Sequence, residues 1–246
     1  MEKRKKTSDL KKIGKAMLTD VETCDYSQII MELSFLVVNQ KFAKLQENCF
    51  IIKEVWENEE YRNGIFAKNK LEHWQEMLNN NTAQLISIYD LYKLINKTIK
   101  KEKITIFGAY NAQFDIRAIE NTYHRFGIDK NKNYEKENQL LKLDIMCLWN
   151  YATRIYCSED YVNWAINNEK FTSTGKIQSN AQAVYQFLTQ NNHFIETHFG
   201  IEDLQIEYTI YVASALQGTL ANDSSIILNK NGCWQLVENY RKELSK

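Results

Sequence analysis

Over the first fifty-odd positions the apolar residues come in short runs rather than at helical spacing. Met17-Leu-Thr-Asp-Val-Glu-Thr23, positions 29–38 (broken by Glu32 and Ser34) and positions 45–55, around Cys49-Phe-Ile-Ile52, each read as a strand. The turn residues Asn39-Gln-Lys41 predict a hairpin between the second and third runs, and the three together a meander. The period then changes. Leu85, Ile88, Tyr89, Leu91, Tyr92 and Ile95 recur three and four apart, which predicts an amphipathic helix running into a lysine-rich end. Ile104-Thr-Ile-Phe107 predicts a short buried strand stopped by Gly108, followed by a helix from about Phe114 to His124, with Gly127 beyond it. Positions 140–143 read as another strand, leading into an aromatic-rich helix through Trp149 and Tyr156. Helical stretches follow around 160–167 and 180–188. The last strong helix spans about 201–217, with Leu204, Tyr208, Tyr211, Val212 and Ala215 as its inward stripe. Strands first, then alternating strands and helices, predict an α/β domain with a mixed sheet. After Gly218 a polar stretch, a short apolar pair (Ile226, Ile227) and a helix-like end read as a small C-terminal appendage, 219–246.

Composition narrows this only a little. The chain has 246 residues, enough for one large domain, and 31 basic residues balance 31 acidic ones. No bulk charge announces a polyanion. The basic residues Lys3, Arg4, Lys5, Lys6 and Lys11 mark positions 1–11 as a soluble basic tail rather than a nucleic-acid arm. There is no apolar run near 18 residues and no signal-peptide pattern, so the expectation is a cytoplasmic protein without a membrane partner. The five cysteines form no C-x-x-C pair, which argues against a zinc knuckle or a disulfide framework.

The chemistry-bearing residues sit where strands and helices begin or end. In a strand, Asp20 and Glu22 point to the same face. Two carboxylates that close repel, and either a hard divalent cation or a solvated strand end relieves them. Asp115, in Gly108-Ala-Tyr-Asn-Ala-Gln-Phe-Asp115, falls at a strand-to-helix step, where it is a ligand or simply a helix cap. Asn111 in the same turn is a polar contact or a loop-closing amide. His198-Phe-Gly-Ile-Glu-Asp203 opens the last long helix, with the same choice for Asp203.

Taken in order, D-x-E, N-A-x-F-D and H-x(4)-D resemble the three motifs of the DnaQ-like (DEDDh) 3′–5′ exonuclease family, over positions 12–218. The run from Phe194 to Tyr208 looks like the third-motif helix of phage-type exonucleases, and Asp144 with Met146-Cys-Leu-Trp149 like that group's strand-to-helix step. The resemblance implies a ribonuclease H-like fold, a mixed five-stranded sheet flanked by helices. It implies Asp20, Glu22, Asp115 and Asp203 as ligands for two Mg²⁺ or Mn²⁺ ions, His198 as general base, and substrate contacts at Thr23 and Asn111. His193 is the rival base, but only His198 has the four-residue gap to an aspartate. The implied reaction is hydrolysis at the 3′ end of nucleic acid, single-stranded DNA foremost, in DNA replication or repair and encoded by a phage or mobile element. An RNA 3′-end or short-RNA exonuclease of the same fold, and a proofreading subunit that binds a polymerase or replication partner, are the alternatives. Cys24-Asp25 departs from the family's usual Thr-Gly, and Gly200 stands where a small alanine is usual.

Overall fold

The computed structural model describes residues 14–216; the basic tail and the 219–246 appendage lie outside the described residues. β1 (Lys15–Thr23), β2 (Ile30–Val38) and β3 (Lys44–Ile52) form the expected antiparallel meander. Asn39 closes its second turn, with Oδ1 accepting the N–H groups of Lys41 and Ala43. Two single-turn helices, α1 (Lys53–Trp56) and α2 (Glu59–Arg62), and then α3 (Leu71–Asn79) follow. β4 (Gln84–Ile86) pairs in parallel with β3 before α4 (Ile88–Glu102) begins. Ser87 caps α4 through its hydroxyl, and Asp90 and Lys100 sit at the ends that suit their charges.

β5 (Ile104–Ala109) runs parallel to β1 and leads into α5 (Ala112–Arg125). A short helix, α6 (Tyr134–Glu137), precedes β6 (Asp144–Cys147), which pairs in parallel with β5. The single-turn helices α7 (Leu148–Tyr151) and α8 (Thr153–Tyr156), then α9 (Glu159–Asn167), α10 (Ala181–Thr189) and α11 (Gly200–Leu216), complete the described chain. None of the described helices is long and apolar enough to cross a membrane.

The sheet order is β4-β3-β2-β1-β5-β6, a mixed six-stranded sheet with helices against it, in keeping with the ribonuclease H-like expectation. Three details of the strands differ from the sequence reading. The sheet has a sixth strand, because Leu85 belongs to the edge strand β4 and not to the helix; at three residues, its period could not be told from the helical pattern that follows. The strand expected at 140–143 is a 3-10 turn, and the strand begins at Asp144. Asp144 is therefore an exposed strand-start residue, and the strand-to-helix step falls at Cys147. Gly108 does not stop β5 but lies within it, where a Cβ would come 2.8 Å from Leu18 Cδ2.

β1 is central, and its two faces do different work. Met17 and Val21 join the larger core with α4 and α5 residues such as Ile95 and Ile119. Ala16 and Leu18 point the other way, into a second core with Leu36, Val38, Ile106, Leu204 and Tyr211, so α11 lies over this face.

Candidate metal centre

The α11-covered face of β1 changes character along its length. Its cross-strand pairs with β2 run Ala16↔Val38, Leu18↔Leu36, Asp20↔Ser34 and Glu22↔Glu32. Two apolar rungs thus give way to two polar ones, and the carboxylates of β1 project side by side from the end of a core strand. β1 outruns its other neighbour, since the pairing with β5 ends at Leu18↔Gly108. Beyond that point the N–H of Val21 donates to the carboxylate of Asp115, which α5 brings round from the opposite side. Asp115 is 4% exposed, so it is no solvated cap. Asn111 is the N-cap residue, yet its side chain makes no capping bond and is exposed. Thr23 is buried at the end of β1, beside a bulge between Glu22 and Thr23.

α11 supplies the facing acids. Asp203, in its first turn, is buried, and Glu207 lies one turn further on the same face. His198 precedes α11 in the left-handed backbone region (φ 58°), which few non-glycine residues adopt. Its exposed ring nevertheless reaches the cluster: one ligand atom each from Glu22, His198 and Asp203 fall within 4.8 Å of one another. His193 is exposed in the turn before this segment. Glu202, on another face of α11, is exposed and accepts from the Thr197 hydroxyl.

The cluster is electrostatically strained. Burial, and then the charges of Glu207, Glu22, Asp115 and Asp203, hold the Asp20 carboxyl well above the usual carboxylate range. Burial pushes Asp115 up to about 8 and Asp203 to about 8, with Glu196 and Glu22 adding to Asp203. Glu22 is raised to about 7 by burial, even though the Lys70 ammonium lies 2.7 Å from its Oε2. Asp20 Oδ2, Asp203 Oδ1 and Glu207 Oε2 are buried without a hydrogen-bond partner among the described residues. Buried carboxylate oxygens left unpaired cost several kcal/mol in general, unless a cation offsets them. Hard oxygen donors so arranged fit a divalent ion of the Mg²⁺ or Mn²⁺ type.

Five participants escaped the sequence reading. Lys70, the residue before α3, donates both to Glu22 and to the His198 carbonyl, at 2.7 Å each, tying the loop before α11 to β1. Glu32 accepts from Trp74 Nε1 (2.7 Å), the Gly200 N–H (2.9 Å), Ser34 Oγ and Cys49 Sγ, so it is fully partnered and structural. That contact explains the glycine at 200, where a Cβ would come 2.9 Å from Glu32 Oε1 and from Ser34 Oγ. Glu207 is the third. The spacing signal for it was present, since it lies four residues past Asp203 on a helix. Tyr26, on the loop that follows β1, and Phe66, between α2 and α3, are the others: 78% and 39% exposed, they meet edge to face at 5.0 Å. Two N–H groups, of Phe66 and Ala67, bind the Cys24 carbonyl there, so the Cys24-Asp25 departure is a built contact with the 64–67 segment. Tyr110, by contrast, is half-buried against the core, and its hydroxyl donates to the Ser179 carbonyl.

No family model and no curated protein matches the chain. Among solved structures, it is similar to Exonuclease X in complex with 5′ overhanging duplex DNA, at 14% identity and a TM-score of 0.48, over 84% of this chain and 95% of that one. At that level the likeness assigns no residue a role.

Proposed function

We propose that the chain is a metal-dependent 3′–5′ exonuclease of the DEDDh type, its activity carried by positions 12–218 and its natural setting the cytoplasm. The observation that carries the reading is the meeting of acids from three distant segments, residues 20 and 22, 115, and 203, with buried unpaired oxygens on Asp20 and Asp203. A fold gains nothing from such a cluster unless a cation joins it.

In this reading Asp20, Glu22, Asp115 and Asp203 hold two divalent ions, which supply an acidified water and offset charge on the phosphate. His198, an exposed histidine beside Glu22 and Asp203, takes the proton of the attacking water at a ring nitrogen, the general-base role that histidine fills most often. Lys70 keeps the His198 loop against β1 and partly neutralises Glu22. Thr23 and Asn111 are the substrate contacts in this reading, and the exposed Tyr26–Phe66 pair offers ring faces to an unpaired base. Such a site grips a few terminal nucleotides, so a neutral overall charge suits single-stranded DNA as substrate.

The test is incubation of single-stranded DNA and RNA, labelled at either end, with Mg²⁺, Mn²⁺ or EDTA. Shortening from the 3′ end that needs the metal is expected. No metal-dependent shortening of either polymer would overturn the reading, and faster attack on RNA would move the substrate assignment to the RNA alternative.

A further inference from the structure

β1 and α11 carry their acids at matching intervals. On β1, Glu22 lies at the rim and Asp20 two residues further in, about 6.6 Å along a strand. On α11, Asp203 lies in the first turn and Glu207 four residues on, about 6 Å along a helix axis. The rim pair meets, since Glu22 and Asp203 bring oxygens within 4.8 Å of each other. The inner pair stands at the corresponding positions, and Asp20 Oδ2 and Glu207 Oε2 are both buried without a partner among the described residues.

Glu207 is 3% exposed. Its Oε1 accepts the N–H of Tyr110 at 2.7 Å, which pins α11 to the turn between β5 and α5. Its Oε2 has no partner among the described residues, and neither has Asp20 Oδ2. The Tyr110 N–H requires only an acceptor, and a glutamine would serve it without burying a charge. The fold therefore accounts for one oxygen of Glu207 and leaves the other, with its charge, unexplained.

We propose that Glu207 is a fifth metal-binding carboxylate, which forms with Asp20 and Asp115 an inner position for a hard divalent cation, deeper than the rim position beside Glu22 and Asp203. Asp115 belongs to this inner set because its buried carboxylate accepts the N–H of Val21, the neighbour of Asp20 on β1. The inference deepens the metal-dependent reading of the site and rests on it.

The test is calorimetric titration of the full chain with Mn²⁺ alone, without nucleic acid, in wild type, Glu207→Gln and Glu207→Asp. Two ions are expected for wild type. Glu207→Gln keeps the acceptor for Tyr110 and is expected to lose one ion or bind it at least tenfold more weakly, and Glu207→Asp, which keeps the charge, to lie between. Thermal unfolding in EDTA shows that each variant is folded. Equal Mn²⁺ stoichiometry and affinity in wild type and Glu207→Gln would overturn the inference, as would a single ion in wild type. If strands are shortened in a metal-dependent way while Glu207→Gln binds two ions normally, the inference alone falls. If Glu207→Gln loses an ion and no strand is ever shortened, the inference stands and the exonuclease reading falls.

Discussion

Glu32 and Asp203 are both buried carboxylates, and their surroundings are opposite. Glu32 receives bonds from α3, β2, β3 and the first residue of α11. Its replacement by alanine strands the Trp74 and Gly200 donors and is expected to cost about 2–4 kcal/mol in urea unfolding. Asp203 has an unpaired oxygen and a carboxyl raised to about 8, so its charge is a burden in the metal-free fold. Asp203→Asn is accordingly expected to raise the melting temperature in EDTA by a few degrees while reducing nuclease activity at least a hundredfold. His198→Ala is expected to lose a similar factor and His193→Ala to stay within about threefold of wild type, measured as single-turnover rates. At this scale the sequence displayed what is local: i and i+2 on a strand, or a histidine five residues before an aspartate. It hid Lys70 and Glu32, whose meaning depends on which distant elements pack beside them.

Among the elements, β1 and α11 define the site, and their opposed acids make stability depend on pH. Glu22, Asp115 and Asp203 titrate at about 7, about 8 and about 8 in the fold, against ordinary values near 4. Between those limits the folded chain binds more protons than the unfolded one, so stability falls as pH rises from about 4 to about 8. Thermal unfolding in EDTA is expected to show a melting temperature several degrees lower at pH 8 than at pH 5, and Mg²⁺ is expected to recover the loss at pH 8. A melting temperature that rose across that window in EDTA would contradict the raised carboxyls. The long elements were legible because their apolar period runs over many residues, as in α4 and α11. The edge strand β4 was not, because three residues are too short to display alternation before α4 imposes its own pattern. The helices of positions 53–62 were missed for a related reason: α1 and α2 are single turns, too short to show a periodic stripe.

For the whole molecule, the order of motifs along the chain becomes convergence in space because β1 is central. β2 and β5 flank it, α11 crosses one face, and α5 delivers Asp115 past the point where β5 stops pairing. The ordered motifs made the mixed sheet readable in outline, while the number of strands emerged only from packing. The central claim is that these acids form one metal centre acting at 3′ ends. Its most direct test is a 5′-labelled single-stranded oligonucleotide incubated with Mg²⁺ and wild type, Asp20→Asn or Asp203→Asn. The account predicts a ladder of progressively shorter labelled products for wild type, abolished by EDTA and by either substitution. Early release of the label as a mononucleotide, or a ladder that survives EDTA and Asp20→Asn, would contradict it.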